Sequence, residues 1–177
     1  MVQATAAPPV QAPLGADEIA RLLPHRYPFL LLDRVTALQP GVSAEAVKNV
    51  SAADPVLAGH FPGRMLYPGV LLVECVAQLA AVIYGSAALG AAASGAAGTG
   101  DGGVASRVGY LAEIRQTKFL RPVVPGDQVL IRAQSGGRVG ELISVTGQAS
   151  VGPEVAMTAR LVVTQRNRPE HPVHPNP

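Results

Sequence analysis

The sequence has one cysteine, no tryptophan and few charged side chains among its 177 residues. Cys75 has no second cysteine to pair with, so an internal disulfide is excluded. In an apolar stretch such a cysteine usually packs as a small hydrophobic residue, the alternative being a nucleophilic or redox role.

Charged residues make up 15% of the chain and the net charge is +2. Without a dense basic face, no nucleic-acid partner is expected, although the charge leaves room for a small patch that receives an acidic partner.

Metal-binding, secretory and membrane patterns are also missing. The four histidines form no cluster of the kind that metal sites need, so no metal is expected. The N-terminus has no basic start and no long apolar core, which excludes a secretory signal. The longest apolar run, residues 70–84, is interrupted by Glu74 and Gln78 and is shorter than the roughly 20 residues of a membrane span. These absences predict a cytoplasmic protein with no membrane partner.

The length and the composition predict one domain between two tails. Residues 1–16 are rich in alanine and proline and are predicted to form a flexible tail. Residues 17–165 form the predicted domain. Within it, residues 85–106 consist mainly of alanine, glycine and serine and are predicted to form a flexible insert. Residues 166–177 are the second predicted flexible tail.

The hydrophobic pattern indicates an α+β domain. Residues 17–23 are typical of a short helix that ends at proline, and residues 29–35 and 42–50 of two strands. Residues 70–84 are apolar nearly all round, which indicates a long helix enclosed by other structure. The C-terminal third alternates in three strands, whose predicted inward positions are Val129, Ile131, Ala133, Ile143, Val145, Gly147, Ala149, Val151, Val155, Met157, Ala159, Leu161 and Val163. One antiparallel sheet wrapped around the long helix accounts for this order.

A candidate pair for proton transfer stands at the start of that helix. His60 lies in residues 54–69, where glycines and prolines leave few free backbone angles. Glu74 lies in the apolar helix, with Gln78 four residues later on the same face. A histidine base in a rigid turn and a carboxyl group in apolar surroundings are suited to acid–base catalysis, since burial disfavours the charged carboxylate. The alternative is a structural turn histidine and a tolerated helix glutamate.

Four motifs, in order, resemble the bacterial 3-hydroxyacyl-[acyl-carrier-protein] dehydratases of the FabZ type. The motifs are PHRYPFLLLDRV at residues 24–35, GHFPGR at 59–64, YPGVLLVECVAQ at 67–78 and KFLRPVVPGDQ at 118–128. The resemblance extends from about residue 18 to about residue 165. It implies a hotdog fold, an antiparallel sheet wrapped around one long central helix.

The resemblance also implies how the enzyme works. Such enzymes form homodimers, often assembled as trimers of dimers, with a tunnel at the dimer interface. His60 and Glu74 match the catalytic residues, which come from opposite subunits. The product is a trans-2-enoyl thioester of the fatty-acid or polyketide type. No cofactor is implied, because the phosphopantetheine arm of an acyl carrier protein presents the substrate. The related dehydratase-isomerase branch has aspartate at the helix position, so Glu74 favours the plain dehydratase.

Other residues receive supporting roles. The backbone N–H of Gly69, at the helix start, is expected to bind the thioester oxygen, and Gln78 to orient Glu74. Phe61, next to the histidine, is expected to contact substrate. The resemblance places Tyr110 near the tunnel mouth, as a gate or as part of the wall. His25, between two prolines, is expected to be a structural anchor rather than a catalytic group.

The chain departs from the family pattern at Met65, at residues 113–115 and in the insert at 85–106, which bears on the tunnel mouth, the chain length and the carrier contacts. Two other functions stay open. One is a hotdog acyl thioesterase, which needs a differently placed carboxylate. The other is a dehydratase-like subunit that supports a catalytic partner in a heterodimer. The sequence does not distinguish housekeeping fatty-acid synthesis from a dedicated polyketide or polyene pathway.

Overall fold

The computed structural model describes residues 12–93 and 109–164. Within them, two α-helices, one 3-10 helix and six strands follow one another along the chain. In chain order they are α1 (Ala16–Leu22), β1 (Arg34–Gln39), β2 (Ser43–Asn49), the 3-10 helix (Pro55–Ala58), α2 (Gly69–Ala93), β3 (Tyr110–Phe119), β4 (Gln128–Val139), β5 (Leu142–Val151) and β6 (Glu154–Thr164).

The six strands form one antiparallel sheet in the order β1-β2-β4-β5-β6-β3. Helix α2 packs against β2, β4, β5 and β6. The predicted α+β architecture, a sheet wrapped around one long helix, is therefore confirmed. Strand β3 comes first of the last four strands in sequence but lies at the outer edge of the sheet, beside β6.

The alternation of apolar residues positions the sheet on the helix. Ile131 pairs with Ala149 and Ala149 with Met157, and all three are fully buried on the face toward α2. The approach of helix and sheet is very close at Gly147, where a Cβ atom would lie 2.2 Å from Val76 Cγ1. Only glycine allows this separation, so the position of α2 depends on it.

The predicted strand at residues 29–35 is wrong in most of its length, because β1 begins only at Arg34. The backbone just before β1 forms hydrogen bonds with a side chain, not with a neighbouring strand. Gln78 of α2 donates to the Phe29 carbonyl and accepts the Leu31 N–H. These groups are satisfied by the helix, so the apolar run there forms no sheet ladder.

Helix α2 is longer than predicted. It continues to Ala93, so the first part of the predicted insert at 85–106 is helical. Ser86 is fully buried and donates to the Ile83 carbonyl, which explains how a small polar residue is accommodated there. The rest of the insert, residues 94–106, lies outside the described residues.

The structure corrects the boundary of the first predicted tail, whereas the second tail lies outside the described residues. Leu14 is buried and pairs with Val35 through two backbone hydrogen bonds, so the folded part begins inside the predicted tail at 1–16. Residues 1–11 lie outside the described part, as does the predicted tail at 166–177. The structure therefore moves the start of the domain toward the N-terminus.

The length of α2 removes one argument against a membrane span. Residues Gly69–Ala91 are long and apolar enough to cross a membrane, with a mean hydropathy of 1.8. The expectation that this run is too short was therefore wrong. However, 56% of that apolar window is buried against the rest of the protein. A central helix of a globular domain has this character, since the sheet supplies its apolar environment.

Candidate active site

His60 lies in the turn after the 3-10 helix Pro55–Ala58. Its Nδ1 is 2.7 Å from the Leu66 carbonyl oxygen. Because a carbonyl oxygen only accepts hydrogen bonds, Nδ1 carries the proton and donates it. The neutral ring therefore has an unprotonated Nε2, which is the form that a general base needs.

The turn holds the His60 ring from two sides. The Leu66 N–H donates to the His60 carbonyl, and Phe61 and Arg64 bond to each other through both backbone groups. Gly63 has a φ of 80°, a conformation that glycine adopts without strain. The Phe61 ring stacks on the imidazole, with ring centroids 4.1 Å apart. Phe61 thus supports the histidine within the chain itself, besides its predicted contact with substrate.

Glu74 lies in the second turn of α2 and is largely enclosed, with 19% of its side chain exposed. Gln78 Nε2 donates to Glu74 Oε1 over 3.0 Å. The predicted pairing of these two residues on one helix face is therefore present in the structure. Helix geometry positions the amide, because residues four apart lie one above the other.

Gln78 is fully buried and makes three hydrogen bonds. Its Nε2 donates to the Phe29 carbonyl over 2.7 Å and to Glu74, and its Oε1 accepts from the Leu31 N–H over 3.0 Å. The two backbone partners fix the orientation of the amide. Gln78 therefore always presents a donor, never an acceptor, to Glu74.

The structure adds His25 to this group. His25 Nε2 lies 3.4 Å from Glu74 Oε1. Sequence analysis predicted a structural anchor only. No spacing links position 25 to position 74, because the contact forms when the loop between α1 and β1 folds onto α2. The only signal in the sequence was the position of His25 within the first motif.

Gly69 is the first residue of helix α2, and Tyr110 is the first residue of strand β3. Gly69 is the first residue of α2, where backbone N–H groups have no intrahelical acceptor and the helix dipole favours negative charge. The Phe119 ring lies against it, so that a Cβ atom at position 69 would be 2.7 Å from Phe119 Cε1. Tyr110 is the first residue of β3, pairs with Thr164 and is 57% exposed. Its side chain is accessible at the sheet edge.

The predicted catalytic residues make their contacts in two separate groups. In the described part of the chain, His60 contacts Leu66 and Phe61, whereas Glu74 contacts Gln78 and His25. The first group belongs to the turn before α2 and the second to the helix and the loop before β1. One chain thus holds the predicted base and the predicted acid in separate surroundings, each with its own contacts.

Cys75, next to Glu74, has the features of a core residue. It is fully buried, and burial raises the pKa of its thiol to about 12. The thiol is therefore protonated at neutral pH and out of contact with solvent, which favours packing over nucleophilic or redox chemistry. Among the described residues, no three histidine, cysteine, aspartate or glutamate side chains are grouped to hold a metal.

Comparisons with known proteins connect this geometry to a family. The FabA-like domain model matches residues 23–160. The chain is 40% identical to the 3-hydroxyacyl-[acyl-carrier-protein] dehydratase FabZ of Haemophilus influenzae over 153 residues, 86% of this chain and 95% of the relative. It is 38% identical to the FabZ of Campylobacter hominis over 148 residues, 84% of this chain and 94% of the relative.

A solved structure shares the architecture. The dehydratase heterocomplex ApeI:P of Xenorhabdus doucetiae superposes with a TM-score of 0.65 at 23% identity, over 85% of this chain and 91% of the other. At that identity the superposition shows the fold, and the fold is the hotdog that the motifs imply. The family match covers most of the chain and includes both the turn of His60 and the helix of Glu74. The chain therefore belongs to the FabA-like family of hotdog dehydratases, with relatives of the FabZ type.

Proposed function

We propose that this protein is a hydro-lyase that removes water from 3-hydroxyacyl-[acyl-carrier-protein] and forms the trans-2-enoyl thioester. The observation that carries the proposal is the pair of prepared groups in a FabZ-like chain. His60 has a free Nε2 because Nδ1 donates to Leu66, and Glu74 is held by Gln78 in a largely enclosed position. The close FabZ relatives supply the substrate class.

The two groups account for both halves of the elimination. His60 Nε2 takes the proton from C2 of the acyl chain, and the electron pair of that bond forms the C2–C3 double bond. Glu74 donates a proton to the C3 hydroxyl, so the C3–O bond breaks and water leaves. His60 then holds one extra proton and Glu74 lacks one. Proton exchange with solvent restores both groups.

Gly69 is proposed to stabilise the negative charge that develops on the thioester oxygen. Its N–H is at the first position of a 25-residue helix, where it needs an acceptor from outside the helix. An N–H in that position is worth more in the transition state than in the ground state, because the oxygen becomes more negative as the C2 proton leaves. The Phe119 ring lies against Gly69 and leaves no room for a side chain at that position.

We infer that the working unit is a homodimer, in which His60 of one protomer meets Glu74 of the other. Among the described strands, β3 is the last of the sheet, so no strand of the described residues pairs with its far edge. Its side chains are almost all exposed, including large apolar ones at Tyr110, Leu111, Ile114 and Phe119. A second copy that pairs along this edge would cover both features. Further association into a trimer of dimers stays a prediction.

The carrier and the compartment complete the proposal. The substrate would arrive on the phosphopantetheine arm of an acyl carrier protein, so no cofactor of its own is needed. Tyr110 is exposed at the edge of the proposed interface, where it can act as gate or wall. The cytoplasm is the proposed location.

The decisive experiment incubates the purified protein alone with a series of 3-hydroxyacyl carrier substrates and identifies the products by mass spectrometry. Loss of 18 mass units with the thioester intact supports the dehydratase, in line with the loss of one water. Free acid would instead show a thioesterase. No reaction from a folded protein, with activity only after a second subunit is added, would show the supporting-subunit alternative. Chromatography of the enoyl product shows whether its double bond is trans or cis.

A further inference from the structure

We propose that His25 is a positioning residue for Glu74 and that the two side chains become hydrogen-bonded when substrate binds. This inference rests on the proposed role of Glu74 as the acid. His25 Nε2 lies 3.4 Å from Glu74 Oε1, slightly beyond hydrogen-bond distance. Contacts of this kind in a site without substrate often shorten in the reacting complex.

The protonation of the ring makes His25 a donor to Glu74. His25 Nδ1 is buried and has no hydrogen-bond partner among the described residues. A buried Nδ1 without a partner is unfavourable with or without a proton, so the choice is made at Nε2, which faces a carboxyl oxygen and can bond to it only as a donor. With a proton on Nε2, the ring directs an N–H toward the carboxyl oxygen. A donor on Nε2 holds Glu74 in place through Oε1.

Both supports of Glu74 meet at one oxygen. Gln78 Nε2 lies 3.0 Å from Oε1, and His25 Nε2 lies 3.4 Å from the same atom. An oxygen that faces two N–H donors is the acceptor end of the carboxyl group. The acidic proton then belongs on Oε2, the oxygen left for the hydroxyl of the substrate. The arrangement thus selects which oxygen delivers the proton.

The loop that carries His25 has supports besides its contact with Glu74. Arg26 Nη1 donates to the carbonyls of Leu23 and His25, over 2.8 and 2.7 Å. The Phe29 ring lies 6.0 Å from the imidazole, and the Phe29 carbonyl accepts from Gln78. The position of the imidazole is therefore set by the loop backbone and by its neighbour. A side chain held in this way can orient another group, rather than follow it.

Two substitutions separate a hydrogen-bonding role from a packing role. His25→Phe keeps a ring beside Phe29 but removes the donor. His25→Gln removes the ring but supplies an amide N–H with a similar reach to Nε2. We expect His25→Phe to lower kcat by roughly 10- to 100-fold with KM nearly unchanged, as a misplaced catalytic group does. We expect His25→Gln to recover most of that loss. Thermal melts show that the two proteins are folded.

Other outcomes overturn the proposal. An active Phe variant with an inactive Gln variant would show that the ring packs and does not donate. Equal activities in the two variants, whether high or low, would show that the donor makes no difference. If His25→Phe does not fold, His25→Leu takes its place in the comparison, with the same expected loss and the same rescue by Gln.

A double variant tests whether His25 acts through Glu74. Adding His25→Phe to Glu74→Gln should not lower the residual rate further, because the acid it positions is already absent. If the double variant is a further 10- to 100-fold slower than Glu74→Gln alone, His25 acts independently of Glu74 and the proposal is overturned. The single variant Glu74→Gln separates the two hypotheses. If it keeps full activity, the proposed function fails, whereas an inactive Glu74→Gln beside a fully active His25→Phe rejects the positioning role alone.

Discussion

Gln78 Nε2 lies 3.0 Å from Glu74 Oε1 across one turn of α2, and the same nitrogen donates to the Phe29 carbonyl. One buried amide therefore connects the proposed acid to the loop before β1. Any movement of that loop would move the donor that faces Glu74. Catalysis and local stability should respond together when the amide is removed.

The first prediction removes that amide with little change of volume. Gln78→Met should leave the buried Leu31 N–H without a partner, at a cost of about 1–3 kcal/mol, and should also remove the partly buried bond to the Phe29 carbonyl. We expect a clearly lower melting temperature and a lower kcat. Gln148→Met is the matched control, because Gln148 donates to Ser150 on the sheet, away from Glu74. Unchanged melting and turnover in Gln78→Met would refute the structural role described here.

A second prediction concerns the base. His60→Ala removes the free Nε2 and should lower kcat by about 100- to 10,000-fold, the usual effect of losing general-base catalysis. The fold should persist, because the surrounding turn is also held by backbone hydrogen bonds between Phe61 and Arg64. Steady-state kinetics and circular dichroism check the two statements. A folded variant with near-normal turnover would mean that another group takes the proton.

The interface prediction uses the two separate groups of contacts. Neither His60→Ala nor Glu74→Ala should be active alone. Coexpression should restore part of the activity, because each mixed dimer contains one intact His60–Glu74 pair at one of its two active sites. Subunits with different affinity tags allow the mixed dimers to be isolated and assayed. Mixed dimers that form but stay inactive would show that His60 and Glu74 do not meet between protomers.

Much of the sheet could be predicted from the sequence, because its apolar side faces one helix. Ile131, Val145 and Leu161 are fully buried, as their alternation predicts. A strand with one buried face repeats every second residue, so the pattern itself contains the answer. The resemblance to FabZ dehydratases added the hotdog architecture and the candidate site residues, which composition alone does not provide.

The errors arise where tertiary contacts decide the structure. Residues 29–35 have the composition of a strand, yet the Gln78 side chain binds the backbone there. The end of α2 was misread for another reason: its alanines favour a helix, but its glycines and its lack of apolar periodicity led to the prediction of a flexible insert. The proximity of His25 to Glu74 joins positions 49 residues apart across two elements, which local reasoning does not reach.

Cys75 supports a prediction on reactivity and alkaline stability. Burial raises the pKa of its thiol from 9.0 to about 12, so the folded state keeps the proton that the unfolded state releases. The stabilisation from this group is complete below about pH 9 and is lost as the pH rises toward 12. Cys75→Ala should therefore lose less stability than the wild type between these values, as measured by urea unfolding.

The buried thiol should also react slowly. A thiol reagent at pH 8 should label the native protein far more slowly than the unfolded protein, and rapid labelling of folded protein would contradict the buried position.

The close approach of Gly147 in β5 to helix α2 gives the last prediction. A Cβ atom at position 147 would lie 2.2 Å from Val76 Cγ1 and 2.7 Å from Val76 Cγ2. Gly147→Ala must therefore displace the second turn of α2 and should cost about 1–3 kcal/mol of stability, as overpacking does. Gly137→Ala in β4 is the control, since no atom lies within 4 Å of its added Cβ. Val76→Ala in the Gly147→Ala background should recover part of the loss by making room.

The same substitution should affect activity. Because Val76 lies two residues after Glu74, Gly147→Ala should also lower kcat. A double-mutant cycle of melting temperatures and turnover tests both effects, and an unaltered Gly147→Ala protein would show that the helix is not held at this distance.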